Sequence, residues 1–237
     1  MTQPLHALVI AAHPDDAEVW IGGTILRLTA AGKRVGVLDC TRGELATRGD
    51  VVTRTRECEA ASALLGLAWR GNLERPDAHL VADLELRADL ARRICELRPA
   101  LLFVPHARDL HPDHVAAGRA GREAWQLAGL ARWAETQGLA AHRPERLYET
   151  MGHTPFEPSC VVDVSEVAER KRAVLEAYAS QFSDAAGESD DGHQLARGPL
   201  LERIRARDRE YGARIGVDFG EPLRHEGPLP AFDPLLP

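Results

Sequence analysis

Short apolar runs alternate with longer segments of helical periodicity, and this alternation constrains the fold more than any other feature of the sequence. The runs "HALVIAA", "RVGVLDC" and "ALLFVPH" have the length and the Val, Ile and Leu content of buried strands. Between them, "EVWIGGTILRLTAAG", "TRTRECEAASALLGL" and "LELRADLARRICELR" have the apolar spacing of helices. Such an alternation is typical of a parallel sheet covered by helices on both faces. We therefore predict an α/β, Rossmann-like three-layer fold with a mostly parallel sheet and an active site at the carboxyl ends of its strands.

The second half of the sequence is less regular. Strands are predicted at 146–152 and 160–165, and helices near 165–182 and 199–212. Between these helices the acidic, Gly-rich stretch 183–198 is predicted to be a mobile surface loop that could serve as a lid. The tail after Gly212 contains several Pro and Gly residues, and we expect it to wrap the surface or a neighbouring subunit. Because no repeat or boundary interrupts a chain of 237 residues with 44% hydrophobic content, residues 1–237 are predicted to form a single domain.

Composition excludes several classes of partner. The formal charge is -7 and no long basic run is present, which disfavours nucleic acid and anionic membrane surfaces. The four cysteines are far apart without a CxxC pair, so reduced core thiols are expected rather than a disulfide framework. Neither a signal peptide nor an apolar stretch approaching the roughly 18 residues of a membrane span is recognisable. We expect a soluble, cytoplasmic protein.

The first predicted strand ends in a cluster of polar residues. His13, Asp15 and Asp16 follow the strand directly, within the stretch "IAAHPDDAEVW". Open α/β sheets bind their ligands just beyond the carboxyl ends of the strands, so these side chains are placed for a functional site. The alternative interpretation is a helix start, in which Asp15 or Asp16 caps the helix that follows.

A second stretch, "VPHARDLHPDH", repeats the pattern after another predicted strand. His111 and His114 are three residues apart, and Pro112 suits the first position of a helix, so the two imidazoles project from one face. Two strand ends thus present histidines and carboxylates to one sheet edge. Two histidines, one carboxylate and an open water position make up a known zinc site, although this set also accepts iron or cobalt. His106 is interpreted as a strand-end residue rather than a ligand.

The motifs "AHPDDAEVWIGGT" and "HPDH" resemble the paired signatures of the LmbE/PIG-L-type zinc-dependent N-deacetylases, which act on N-acetylglucosamine conjugates. The stretches "DCTRGELATRGDVVTRTRECEAASALLG", "HRPERLYETMGHTPFEPSCVVDVSE", "LEAYASQF" and "RDREYGARIGVDFGEP" are similar to the bacillithiol-pathway branch of that family. The resemblance covers most of residues 6–221. It implies hydrolysis of the N-acetyl group of N-acetyl-glucosaminyl-malate, one Zn²⁺ per subunit, and a homo-oligomer, specifically a hexamer.

The resemblance also implies roles for the two motifs. His13, Asp16 and His114 would hold zinc, Asp15 would be the general base, and His111 would assist at the oxyanion and the leaving amine. The chemistry agrees with this division. Bound zinc lowers the pKa of its water, a neighbouring carboxylate can accept the proton, and a protonated His111 would stabilise the developing oxyanion.

Other residues are assigned around this centre. Asp113 is a candidate to orient one of the ligand imidazoles by a hydrogen bond. Arg54 and Arg143 match arginines that the family places near its substrate, and a guanidinium can bind a malyl carboxylate through two hydrogen bonds. Glu44 could bind sugar hydroxyls or could be a solvated loop residue.

The sequence departs from the family pattern in two places. Some relatives have a tyrosine where this chain has Leu200, so no hydroxyl comes from that position, and Glu74–Arg75 replaces apolar residues. Two alternative functions are considered beside this one. The protein could deacetylate another N-acetylglucosamine conjugate or a chitooligosaccharide, or it could be a non-catalytic sugar- or nucleotide-binding module. A second aspartate beside a candidate ligand argues against the binding module, since binding alone does not require it.

Overall fold

The computed structural model describes residues 3–182 and 200–227, and its centre is a sheet whose strands follow the order β3-β2-β1-β4-β5-β7-β6. Strands β1 to β5 are paired in parallel, whereas β7 is antiparallel to both β5 and β6. The strand bounds are β1 (Ala7–Ala11), β2 (Val35–Thr41), β3 (Trp69–Arg75), β4 (Leu101–Pro105), β5 (Arg146–Thr150), β6 (Cys160–Asp163) and β7 (Gly220–His225).

Helices cover both faces of this sheet. Alternation along β1 sends Leu8 and Ile10 into a core with α3 and α4, and sends Ala7 and Val9 into a second core with α1, α2 and α6. The predicted three-layer fold with a mostly parallel sheet is therefore confirmed. The helix bounds are α1 (Asp16–Ala30), α2 (Val51–Leu65), α3 (Leu84–Leu97), α4 (Pro112–Ala128), α5 (Ala131–Thr136), a 3-10 helix (Ser165–Val167), α6 (Ala168–Glu176), α7 (Ala179–Phe182) and α8 (Leu200–Arg214).

The expectation for the tail after Gly212 is wrong for the residues that the structure describes. Helix α8 continues to Arg214, and 220–225 is an inner strand between β5 and β6. The strand escaped prediction because "GEPLRH" is polar: Glu221 is fully buried, yet a charged residue does not indicate a buried strand. Strand β3 was also not predicted, since "WRGNLER" contains no apolar run. The predicted loop 183–198 and the tail beyond 227 lie outside the described residues.

Two exclusions can be compared with the structure. The four cysteines are all unpaired, as predicted. In the described parts of the chain, no helix combines the length and the apolar character needed to span a membrane.

The strand order brings distant segments to one edge of the sheet. Strands β1 and β4 are neighbours in the middle, so the turns after Ala11 and Pro105 emerge side by side. The loops after β2 and β3 emerge at the same edge because all four strands are parallel. The two His-Pro-Asp motifs therefore meet, as the sequence predicted.

Candidate active site

The first motif begins α1 in an unusual backbone conformation. Asp15 occupies the cap position with φ 128° and ψ -24°, a region that residues with a Cβ rarely adopt. Its side chain makes no capping hydrogen bond, and instead accepts one from Nη2 of Arg54 at 2.9 Å. The alternative interpretation, in which the side chain of Asp15 or Asp16 caps the helix, is therefore wrong, since Asp16 is already the first helical residue and its carboxylate accepts from the backbone N–H of His13. Such strain persists only where surrounding contacts hold it, and it is often found at functional sites.

The second motif begins α4 in an ordinary way. His111 is the cap residue, with φ -81° and ψ 123°, and Pro112 is the first helical residue, as predicted. The backbone N–H of Asp113 donates to Nδ1 of His111 at 3.2 Å. Because Nδ1 accepts this hydrogen bond, a neutral His111 carries its proton on Nε2.

His13 lies between three carboxylates. Its Nε2 is 3.1 Å from Oδ1 of Asp77 and 3.2 Å from Oδ2 of Asp113, while its Nδ1 is 3.3 Å from Oδ2 of Asp16. The proton on Nε2 faces Asp77 and Asp113, which leaves the Nδ1 lone pair directed at Asp16.

His114 repeats this arrangement from the other motif. Its Nδ1 is 3.0 Å from Oδ2 of Asp109, and its Nε2 is 3.3 Å from Oδ1 of Asp16. The backbone N–H of His13 donates to Oδ2 of Asp16 at 2.8 Å, which holds that carboxylate between the two rings. Asp16 is thus flanked by one imidazole nitrogen from each motif.

This arrangement fits a metal ion. A nitrogen lone pair and a carboxylate oxygen that face each other at 3.3 Å repel unless a cation or a proton lies between them. Two ligand atoms about 2.0–2.1 Å from a tetrahedral zinc are about 3.3–3.4 Å apart, which matches these separations. Each imidazole also has a carboxylate on its other nitrogen, the usual outer partner of a metal-bound histidine. His13, Asp16 and His114 therefore suit zinc by donor type, and each imidazole nitrogen lies at ligand-to-ligand distance from a different oxygen of the Asp16 carboxylate.

His111 stands beside these groups. Ring nitrogens of His13, His111 and His114 lie within 4.8 Å of one another, and the ring centroids of His13 and His111 are 4.8 Å apart. Since Nδ1 of His111 is occupied by the backbone of α4, its Nε2–H is the group available to the site.

The carboxylates make the centre strongly favourable to positive charge. Burial alone would lower the pKa of His13, but hydrogen bonds with Asp113, Asp16 and Asp77 outweigh burial and raise this pKa to about 12. Burial is likewise outweighed at His114, where Asp16 and Asp109 raise the pKa to about 10. A site that holds protons this firmly without a metal is one where a cation can replace them.

At the remaining two catalytic candidates the surroundings favour the neutral form, which raises the pKa of Asp15 and lowers the pKa of His111. Burial raises the pKa of Asp15 to about 7, opposed by the charge of Arg54 and reinforced by Asp16. Burial and the charges of His13 and His114 lower the pKa of His111. Burial and neighbouring positive charge thus favour the neutral imidazole, in contrast to the protonated His111 expected from the sequence. The neutral ring still offers its Nε2–H.

Comparison with known proteins places this centre in a family. Residues 8–125 match the family described as PIG-L, the GlcNAc-PI de-N-acetylases. A 1D-myo-inositol 2-acetamido-2-deoxy-alpha-D-glucopyranoside deacetylase from Saccharopolyspora erythraea is 30% identical, over 76% of this chain and 79% of its own length. The chain belongs to the PIG-L/LmbE family.

Two further relatives cover nearly the whole chain. Diacetylchitobiose deacetylase from Thermococcus kodakarensis is 29% identical over 92% of this chain and 81% of its own length. The crystal structure of a conserved protein from Thermus thermophilus has a TM-score of 0.85 and 38% identity, over 95% of this chain and 96% of that one. Both PIG-L motifs therefore occur here in a fold shared with the family.

The structure separates the two arginines that were predicted to bind substrate. Arg54 is buried, and its Nε and Nη2 donate to the carbonyl oxygen of Pro14 at 3.0 Å and to Asp15 at 2.9 Å. It therefore holds the first PIG-L motif in place, and its Nε and Nη2 edge is not available for a two-bond grip on a substrate carboxylate. Its Nη1 remains buried without a partner among the described residues.

Arg143 does not reach the site. It is exposed in the turn before β5, where Nη2 donates to the carbonyl oxygen of Gln126 at 3.3 Å and the guanidinium lies 5.5 Å from the ring centroid of Trp125. This turn lies at the amino end of β5, whereas the site lies at the carboxyl ends. The prediction that Arg143 contacts substrate is wrong within one subunit, because sequence likeness does not show which sheet edge a loop occupies.

The structure also places the other residues singled out from the sequence. Asp113 orients His13, and backbone N–H groups of Ala78 and Leu80 hold its carboxylate at 2.8 and 3.1 Å. Glu44 is exposed at the rim and accepts from the backbone N–H of Asp77 at 3.0 Å. His106 is outside the cluster, with its Nδ1 2.8 Å from Oε2 of Glu149, in agreement with its interpretation as a strand-end residue.

Three residues of the centre were missed. Asp77 and Asp109 are the carboxylates behind His13 and His114, and the ring of His153 stacks on His114 with centroids 5.3 Å apart. Asp109 stood in the quoted stretch "HARDLHPDH" and could have been noticed five residues before His114. Asp77 and His153 carry no comparable signal, because they come from other strand ends.

Proposed function

We propose that this protein is a zinc-dependent hydrolase that removes the acetyl group from an N-acetylglucosamine conjugate. The observation that carries the proposal is Asp16, which faces one imidazole nitrogen from each motif at 3.3 Å, with Asp15 directly beside it. The names of the relatives support the reaction, since they are deacetylases of acetamido sugars.

Each residue of the centre receives a role in amide hydrolysis. His13, Asp16 and His114 would hold the zinc ion, with Asp77, Asp113 and Asp109 orienting the two imidazoles. When bound, zinc would polarise the amide carbonyl and make an attacking water acidic near neutral pH.

Asp15 accepts the proton of the attacking water. Its carboxylate is held by Arg54 and, unlike that of Asp16, does not face the two ligand imidazoles. Its pKa of about 7 is close to the best value for a base at neutral pH. The departing amine needs one proton when the C–N bond breaks. Asp15 holds that proton after the attack, so the same carboxyl can return it to the nitrogen and leave acetic acid and the amine, which become acetate and the ammonium form at neutral pH.

His111 stabilises negative charge on the carbonyl oxygen. The backbone hydrogen bond at its Nδ1 leaves Nε2–H as a donor at the same sheet edge as the ligands. A preorganised neutral donor is sufficient for this role, since charge develops on the oxygen only as the reaction proceeds.

The finer proposal is that the conjugate is N-acetyl-glucosaminyl-malate. It rests on the resemblance of the sequence stretches to the bacillithiol-pathway branch. It does not rest on an arginine that binds the malate carboxylates. Arg54 donates to Pro14 and Asp15 instead, and Arg143 lies at the amino edge of the sheet. Diacetylchitobiose and the inositol conjugate are the alternative substrates, since relatives are named for them.

The test measures acetate release from four compounds: N-acetyl-glucosaminyl-malate, diacetylchitobiose, the inositol conjugate and N-acetylglucosamine. We expect activity that disappears with a chelator and returns with zinc. The same assay on Asp15→Asn is the matched control for contaminating deacetylases. No release from any of the four would refute the proposed function, and a preference for another conjugate would refute only the malate.

We also propose that the protein self-associates as a homo-oligomer, with a hexamer as the specific expectation. Side chains such as Leu45 and Leu110 are 60% and 76% exposed near the site, and a subunit contact would cover apolar surface of this kind. Light scattering at micromolar concentration should give a mass several times 25.9 kDa. A monomer would contradict the proposal.

A further inference from the structure

Helix α1 is broken in the middle. Ile21 has φ -140° and ψ 25°, which separates a first half, 16–20, from a second half, 22–30. A break of this kind frees carbonyl groups before it and N–H groups after it, and such groups need partners when they are buried.

The freed N–H groups are bound by a carboxylate from β7. Glu221 is fully buried, and it accepts from the backbone N–H of Gly23 at 2.8 Å and of Thr24 at 2.6 Å, as well as from the Thr24 hydroxyl at 2.6 Å. A Cβ at Gly23 would lie 2.8 Å from Val164 and 3.0 Å from this carboxylate, so only glycine allows the close approach.

The freed carbonyl groups are bound by a guanidinium from α8. Nη2 of Arg207 donates to the carbonyl oxygens of Val19 at 3.1 Å and Trp20 at 3.4 Å. A cation therefore lies at the end of the first half and an anion at the start of the second, which matches the dipole of each half.

A chain of ion pairs joins these two groups. Nζ of Lys171 is 2.7 Å from Glu221 and 2.7 Å from Asp208, and Asp208 in turn accepts from Arg207 at 2.6 Å. Lys171, Asp208 and Glu221 are at most 4% exposed. We call Glu221, Lys171, Asp208 and Arg207 the α1 splint. Each charge in it lies against an opposite charge, so contacts from three separate elements hold the break, while Nη1 of Arg207 is buried without a partner among the described residues.

The splint reaches the candidate metal centre by way of Trp20. The guanidinium of Arg207 lies 5.3 Å from the ring centroid of Trp20, and this centroid lies 5.2 Å from that of His153 and 6.5 Å from that of His114. Trp20 ends the half-helix that begins at Asp16, the carboxylate between the two ligand imidazoles.

We propose that Arg207 is a positioning residue, which holds Trp20 and the first half of α1 so that Asp16 stays in register with His114. The inference rests on the proposed function, since it takes Asp16 and His114 as zinc ligands. Arg207 contacts neither ligand directly, and it acts through the carbonyl groups and the ring of Trp20.

The test is the zinc affinity of the full-length protein, measured by competition with a chromogenic chelator at a temperature where every variant is folded. Arg207→Ala should weaken zinc binding about tenfold to a hundredfold, the range typical of groups that support metal ligands. Arg207→Lys should restore most of the affinity, because an ammonium can also donate to the carbonyl groups. Arg205→Ala is the matched control: Arg205 is on the same helix but pairs with Glu169, and its removal should leave the affinity unchanged.

Leu147→Ala distinguishes a general loss of stability from the proposed positioning role, because it creates a cavity in the core on the opposite face of the sheet. This variant should lower the melting temperature without changing the zinc affinity.

If Arg207→Ala does not fold, Arg207→Met can replace it. The methionine keeps an apolar stem against Trp20 and lacks the donors, so the same loss of zinc affinity is expected. Wild-type affinity in the folded Arg207 variant would overturn the inference. Zinc binding without any deacetylation by the wild type would instead refute the proposed function.

Discussion

The tripeptide His-Pro-Asp occurs twice at the same sheet edge, and the two copies adopt different local structures. In the second copy, His111 is an ordinary helix cap, Pro112 is the first helical residue and α4 runs unbroken to Ala128. In the first copy, the cap position falls to Asp15, whose φ is 128°, and α1 breaks five residues into the helix.

The aspartates of the two copies also differ in their partners. Asp113 accepts hydrogen bonds from Ala78 and Leu80 and orients His13, so it supports the ligand of the other copy. Asp15 pairs with Arg54 and faces neither ligand nitrogen within hydrogen-bonding distance. The same three residues therefore supply an orienting carboxylate in one copy and a candidate base in the other, because neighbouring loops decide what each carboxylate contacts. Four predictions test this contrast.

The largest effect is expected where the copies meet. Asp16→Ala removes the carboxylate that faces both imidazoles, so zinc content after dialysis should fall to near zero and deacetylation should be lost. His142→Ala, at the amino edge of the sheet, is the control and should retain zinc. Loss of zinc in His111→Ala, together with full zinc in Asp16→Ala, would mean that three imidazoles form the ligand set instead.

The next effect separates the base from the ligands. Asp15→Asn keeps the size of the side chain and removes the proton acceptor, so turnover should fall about 10²- to 10⁴-fold while zinc content stays at the wild-type level. Metal analysis and initial rates on the same preparation check both parts. If this variant were isolated without zinc, the two adjacent aspartates would have to exchange roles.

A smaller loss of zinc affinity is expected from the orienting carboxylates. Asp113 and Asp109 have the same role, since each holds the outer nitrogen of one ligand imidazole. Asp113→Asn and Asp109→Asn weaken the outer hydrogen bonds of His13 and His114, and each should cost about 10- to 100-fold in zinc affinity or activity. Chelator competition measures the affinity. An effect confined to Asp109→Asn would show that Asp77 alone suffices to orient His13.

The smallest effect on stability, together with a selective effect on turnover, is expected at the ordinary cap. Asparagine is a good cap residue, so His111→Asn should keep the free energy of unfolding within about 0.5 kcal/mol of the wild type. Turnover should fall about 10²- to 10³-fold, because the Nε2–H donor is lost. Urea unfolding and initial rates measure the two effects. A turnover equal to that of the wild type would remove His111 from the mechanism.

The sequence by itself determined the layers of the fold and the edge that carries the site. Strands β1, β2 and β4 and helices α1 to α3 could be predicted because apolar periodicity is a local property, visible within a dozen residues. The meeting of the two motifs followed from the same reasoning, since parallel neighbouring strands end at one edge. Pro112 could be placed in the first turn of α4 from its chemistry alone.

Only the tertiary structure decided which partner each polar side chain meets. His13 and Asp113 are 100 positions apart, and Asp77 and His153 come from two further strand ends, so no local pattern joins them. Buried charges such as Glu221 contradict the apolar pattern of a core strand, because their partners lie on other elements and repay their desolvation. Arg54 and Arg143 looked alike in sequence, yet the chain path placed them at opposite edges of the sheet. Strand content follows from local spacing, whereas charge pairing follows from the path of the whole chain.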